Sequence, residues 1–241
     1  MSDLDFARRI LVADFGRGAF ALAAFGESGG GGAPTPDPEP ALGPAPALAW
    51  HRVHLGFVSA YLLVRGGEAA VVDTGVPGSG DAIDAVVRAA GVAWSDVAHV
   101  ILTHRHMDHA GSLPFVLARA TGATAYAGAE DIPAIESPRP LVAVADGATV
   151  FGLRVFATPG HTPGSISVLD AAAGVLLAGD ALRTEAGRPI GPSPQYSADM
   201  VAAGRSVVRL AGLRFETLLV GHGDPVEHGA SAAVAELAAL G

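Results

Sequence analysis

Between Val100 and Ser112 the chain reads VILTHRHMDHAGS, crowding three imidazoles and a carboxylate into the six residues from His104 to His109. His104 and His106, two apart in an extended loop, can point to one side and pinch one cation. Asp108 and His109 lie further along the turn and can serve a second. Imidazole and carboxylate donors without thiolate suit zinc, iron or manganese rather than copper(I). The same device recurs along the chain: apolar stretches run into VFATPGH at His161, VLLAGD at Asp180 and TLLVGH at His222, and AAVVDTG does so at Asp73. Strand ends of layered folds converge on one rim, where sites form. Polar side chains at the ends of buried strands are costly unless they find partners there. Five histidines and two aspartates exceed the four ligands of a structural zinc site. The surplus points to two metals sharing a ligand and a water. His51, His54, His99 and His228 fall outside the pattern and are read as ordinary surface or core histidines.

Strands and helices must hold these donors in place. HRVHLGFVSAYLLV (51–64) and EAAVVDTG (68–75) read as two strands joined by a turn at Arg65, Gly66 and Gly67. DAIDAVVRAAG (81–91) has apolar residues at helical spacing and a glycine stop. VAHVILTH is a buried strand, with a helix following from Gly111. ATAYAG, ATVFGLRVFATPGH, ISVLD and GVLLAGD are further strands, and FETLLVGH is the last. Ser197 to Leu210 reads as a helix with Ser197 and Asp199 as capping candidates, and Glu227 to Leu240 as the final helix. Strands outnumber helices, and their grouping predicts sheets covered by helices.

The 241 residues suffice for one sizeable domain with a continuous core. No apolar run reaches the ~18–20 residues that a membrane-crossing helix needs. A net charge of −9 argues against nucleic-acid binding, which requires Lys/Arg clusters. The absence of cysteine excludes disulfides, thiolate zinc sites and a cysteine nucleophile. Lysine and asparagine are absent too, a codon bias that a GC-rich genome explains. Residues 1–28 carry Arg8-Arg9 before a short apolar stretch and read either as a twin-arginine-like export signal or as an N-terminal helix. Residues 29–49 form a Gly/Pro-rich linker ending in an Ala45-Pro46-Ala47 pattern of the kind signal peptidases cut. Asp3, Asp5, Asp14 and Arg17 weigh against export, so both a cytoplasmic and an exported location are carried forward. The catalytic domain is expected over 50–241.

The ordered set Asp73, T-H-x-H-x-D-H at Thr103 to His109, His161, Asp180 and His222 resembles the metallo-β-lactamase superfamily of hydrolases, over about Leu55 to His222. The resemblance implies an αββα sandwich, two mixed β-sheets flanked by helices. It implies that His104, His106 and His161 hold a first metal, that Asp108, His109 and His222 hold a second, and that Asp180 bridges them. Asp73 is carried over as a buried residue that orients the ligands. Two zinc ions, with iron or manganese as alternatives, are the implied cofactors, and a metal-bridging hydroxide oriented by Asp108 is the implied nucleophile. His106 stands where di-iron oxygen-reducing members usually have Glu, which favours zinc hydrolysis. Nineteen residues follow His222, so neither the glutathione-gripping helical domain of hydroxyacylglutathione hydrolases nor a nuclease insert is expected. A small-molecule ester, lactone or thioester is the expected substrate. The alternatives are a mononuclear-iron enzyme like the persulfide dioxygenases and a non-catalytic metal-binding module. Ser165 follows His161 closely but sits in no G-x-S-x-G elbow; Tyr196, in the loop PSPQYS, is read either as facing the substrate or, as is commoner for a lone tyrosine, as packing.

Overall fold

The computed structural model describes residues 46–240; segment 1–28 and most of the 29–49 linker lie outside them. Strands β1 (Ala49–His54), β2 (Ser59–Arg65) and β3 (Glu68–Val72) form an antiparallel meander. After helix α1 (Gly80–Ala89) the sheet continues in parallel with β4 (Val97–Ile101). Helices α2 (Met107–Ala110) and α3 (Leu113–Arg119) then lead to β5 (Thr124–Gly128) and β6 (Val142–Val144), completing six strands in sequential order. A second sheet is built from β7 (Thr149–Val150), β8 (Leu153–Ala157), β9 (Ile166–Asp170) and β10 (Val175–Leu177). The hairpin β11 (Arg183–Glu185) and β12 (Arg188–Ile190) and helix α4 (Met200–Ala211) intervene before β13 (Thr217–Leu219) pairs in parallel with β10. Helix α5 (Ala230–Ala239) closes the described chain.

Period-two alternation of apolar residues creates three core layers, because successive side chains of a strand face opposite sides. Ala60 and Leu62 of β2 pack with Ile83 and Val87 of α1 and with Leu113 and Val116 of α3. Tyr61 and Leu63, one residue out of phase, meet Val155, Val168 and Leu177 of the second sheet. That sheet in turn offers Leu169 and Leu176 to Val207 and Leu210 of α4 and Val234 of α5. The result is the expected αββα sandwich. Strands apolar on both faces are what such a sandwich demands, and each fully buried Leu or Ile contributes about 1.5–3 kcal/mol relative to exposure. Among the described residues, no helix is long and apolar enough to cross a membrane.

Local boundaries depart from the sequence expectation where long-range contacts compete. The stretch 51–64 is two strands, because Gly56 takes φ 84° and Leu55 N–H closes a turn on Val58 O. ATVFGLRVFATPGH likewise folds back at Phe151 and Gly152, both at positive φ. The last helix starts at Ala230 and not Glu227, since Val226 is held in a bridge to Leu218 and Gly229 takes φ 65°. Helix α4 starts at Met200, capped by the Asp199 carboxylate on the N–H groups of Val201 and Ala202.

Candidate metal centre

All seven expected donors come together at one rim, where β3, β4, β8, β10 and β13 end. The loop after β4 presents His104 and His106, and the short helix α2 presents Asp108 and His109; α2 replaces the plain turn expected there. The Thr158–Gly164 loop after β8 presents His161, the turn after β10 presents Asp180, and the turn after β13 presents His222. His51, His54, His99 and His228 lie elsewhere, the last strongly exposed beside Glu216. Asp73, buried at the end of β3, holds a left-handed backbone (φ 60°) that is sparsely populated for a non-glycine residue. From there one carboxylate oxygen accepts Thr103 N–H at 2.8 Å, and the other lies 2.8 Å from both Thr103 Oγ1 and His109 Nδ1. Through these bonds it fixes the orientation of the His109 ring and the start of the donor loop.

Hydrogen bonds fix most of the imidazoles through their Nδ1 atoms, which leaves Nε2 with a lone pair. His109 Nδ1–H donates to Asp73, and His222 Nδ1–H donates to Phe57 O at 2.8 Å. Ser197 gives its own proton to Ser193 O, so it accepts from His161 Nδ1 at 3.2 Å. Thr103 gives its proton to Asp73 and so accepts from His104 Nδ1 at 3.1 Å. His106 alone faces the site through Nδ1. Ser197, read from sequence as a helix cap, is thus a partner of His161.

Three nitrogens of the first group nearly touch: His106 Nδ1 lies 3.2 Å from His104 Nε2 and 2.9 Å from His161 Nε2. His106 can offer a proton to only one of these two lone pairs; a cation satisfies all three. Tetrahedral zinc with Zn–N near 2.0–2.1 Å puts its ligand nitrogens about 3.3 Å apart, close to these spacings. The second group is Asp108, His109 and His222, with His222 Nε2 3.3 Å from Asp108 Oδ2 and 3.5 Å from His109 Nε2. Asp180 lies between the groups. Its Oδ2 is 3.3 Å from His161 Nε2 and 3.2 Å from His222 Nε2, and its buried Oδ1 has no hydrogen-bond partner although His109 Nε2 is 3.3 Å away. Either a second proton on His109 or a metal cation must join these two atoms, and a cation there would serve His109, His222 and Asp180 together. The donor set fits divalent metal.

Electrostatics divide the two groups. Burial pushes His104 well below its usual range, with the neighbouring His109 imidazole adding to the effect. Burial lowers His106 as well and takes His161 to about 4. Burial also opposes charge on His109 and His222, but the Asp180 and Asp73 carboxylates outweigh it for the first, and Asp108 and Asp180 raise the second to about 10. Asp180, despite burial, is held well below the usual carboxylate range by His109 and His222. Without metal, the first group is therefore neutral and ready to ligate, whereas the second holds protons in a metal's place.

The centre opens into a cleft of about 930 Å³ whose lining includes the apolar Phe57 and Met107, Tyr196, and the polar Arg105, Arg183 and Gln195. Of the two readings of Tyr196, packing does not hold: the side chain is 64% exposed and lines the cleft. Phe57 stacks on His222 with ring centroids 6.0 Å apart.

Fold and donor set together define a class. The chain belongs to the metallo-beta-lactamase superfamily, whose family description matches residues 54–222, and it is a metal-dependent hydrolase of that superfamily. It is 30% identical to the YobT protein of Bacillus subtilis strain 168 over 196 residues, covering 69% of this chain and 83% of that one. It is 44% identical over 126 residues to a hydroxyacylglutathione hydrolase of Anaeromyxobacter dehalogenans strain 2CP-C, covering 51% of this chain and 45% of the relative. Among solved structures, TTHA1623 in a di-iron-bound form superposes with a TM-score of 0.64 at 26% identity, over 76% of this chain and 98% of that one.

Proposed function

We propose that this hydrolase is dinuclear, binds zinc, and cleaves the acyl bond of a small ester, lactone or thioester. The observation that carries this is the Asp180 carboxylate, within 3.3 Å of imidazole nitrogens from both donor groups and with one buried oxygen left without a hydrogen-bond partner. His104, His106 and His161 would hold one ion, Asp108, His109 and His222 the other, with Asp180 shared. Two divalent cations held there would lower the pKa of a water toward neutrality and polarise a carbonyl oxygen. Asp108 lines the cleft and stands ready to accept a hydrogen bond from the attacking water, orienting its lone pair toward the acyl carbon. Asp73 keeps the His109 lone pair aimed at the site and touches no substrate. A cleft of this size suits a molecule of drug-like dimensions. The chain's net charge of −9 disfavours a nucleic-acid substrate. Likeness to hydroxyacylglutathione hydrolase supports thioesters within this range, while the di-iron state of TTHA1623 makes iron the competing metal.

Metal analysis of the purified chain, followed by a panel of esters, lactones and thioesters, tests this. Two zinc ions per chain with turnover of at least one acyl class is the expected result. A single iron with oxygen consumption and an inert panel would replace hydrolysis by oxygen chemistry.

A further inference from the structure

Asp131, at the head of a single helical turn after β5, belongs to none of the donor groups, yet its side chain is fully buried beside them. Its Oδ2 accepts the backbone N–H of Arg105, between the ligands His104 and His106, at 3.0 Å, and also the hydroxyl of Thr162. Its Oδ1 accepts the N–H of Gly164 at 3.0 Å. Thr162 and Gly164 flank the other end of the first group, in the loop that carries His161. The Arg105 guanidinium, 3.6 Å away, supplies the countercharge. Thr162 is tied in turn to Ser165, whose hydroxyl lies 2.7 Å from that of Thr162 and accepts its N–H at 3.0 Å. The segments are packed so closely that a Cβ on Gly164 would lie 2.5 Å from Asp131 N, and one on Gly128 only 2.0 Å from Gly164 O.

We propose that Asp131 is the positioning residue of the first metal group: its carboxylate staples the His104–His106 loop to the His161 loop and so sets the spacing of their three nitrogens. Two buried acids then divide the work. Asp73 aims His109 of the second group and, through Thr103, His104; Asp131 joins the two loops that supply the whole first group. A charged carboxylate is required because three donors converge on its two oxygens. An Asn at this position places its NH₂ against an N–H whichever way it turns, against Gly164 in one orientation and Arg105 in the other.

The inference rests on metal being held at these donors, and metal binding tests it independently of hydrolysis. Metal-free wild type, Asp131→Asn, Thr162→Val and His106→Ala are titrated with Co²⁺ under chelator competition, with the electronic spectrum recorded at each step and folding checked by circular dichroism. In Asp131→Asn one of two binding steps is expected to weaken by ~10–100-fold, the cost usual for losing an outer partner of a ligand. The step that survives should match, in affinity and spectrum, the one that survives in His106→Ala, because both variants spare Asp108, His109 and His222. Thr162→Val, which removes one hydroxyl only, should weaken the same step by several-fold. Unchanged steps, or both weakened equally, would overturn the assignment. Should Asp131→Asn not fold, Thr162→Val decides by the same criterion. A wild type that takes up one ion only would sink the dinuclear proposal, while Asp131 would still stand or fall by whether that single step weakens. Two intact metal steps with no hydrolysis would sink the acyl substrate and leave Asp131 untouched.

Discussion

Replacing Gly221 by alanine adds one methyl group at a place where the metal centre leaves no room. The added carbon would sit 2.4 Å from His109 Cε1 and 2.5 Å from Asp180 Oδ1, against an ordinary contact of 3.4–4 Å. His109 and Asp180 each lie roughly 1 Å too close to it, against the ~0.2 Å tolerance of metal–ligand distances. His109 cannot back away freely, since its Nδ1 is tied to Asp73 at 2.8 Å, and Asp180 meets His161 and His222 on its far side. The backbone at Gly221 needs no left-handed conformation, so the change acts through space alone. Overpacking of this kind costs about 1–3 kcal/mol of stability. Displacing catalytic groups by about 1 Å costs ~10²-fold in rate. The assay pairs metal content by elemental analysis with kcat/KM on the best acyl substrate and Tm by calorimetry. The expected variant folds, retains less than two metals per chain and loses on the order of 10²-fold in kcat/KM. Gly204→Ala in α4 is the control: nothing lies within 4 Å of its added carbon, and a helical alanine should raise stability by ~0.5–1 kcal/mol with activity unchanged. Full metal content and full activity in Gly221→Ala would refute the claim that His109 and Asp180 must hold their present positions.

Asp180→Ala should fold, bind at most one metal per chain and lose at least ~10–100-fold in activity, with His228→Ala as an unaffected control; metal content and turnover, read together, check both. Metal-free protein should be most stable near pH 6.5. As pH rises toward about 10, His222, whose folded-state pKa is raised by Asp108 and Asp180 against burial, loses a proton that stabilised the fold only while bound. As pH falls from 6.5 toward about 4, the unfolded chain protonates His161 while burial keeps the folded one neutral, so stability falls there too. Thermal melts with and without zinc test this, because the loaded protein should hold a flat Tm over the alkaline range, where the cation replaces the proton. Tyr196→Ala, at the cleft wall, should raise KM several-fold with kcat and metal content nearly unchanged; an unaltered KM would place the substrate elsewhere.

The donors themselves were legible in the sequence. Each of His104, His161, Asp180 and His222 follows a short apolar strand, and strand ends meet at one rim in layered folds, so chemistry and approximate convergence could be read together. The same alternation that buries Leu62 against helices and Leu63 against the second sheet marked both faces of the strands as interior. What the tertiary structure decided lies in contacts between residues far apart in the chain. Asp131, in the stretch GAEDIPAI, looks like any loop acid until the fold sets it against Arg105, Thr162 and Gly164. Ser197 reads as a helix cap and turns out to orient His161, and Phe57 O fixes His222 from 165 positions away. The hairpin β11–β12, short and mixed in polarity, carries no strand periodicity of its own; it pairs only with itself and is set by tertiary contact, β12 lying against α5. Type and spacing of residues select a metal, since those depend on each side chain's own chemistry. Tautomer, protonation and cleft shape depend on which groups face one another across the fold, and sequence neighbours do not determine that.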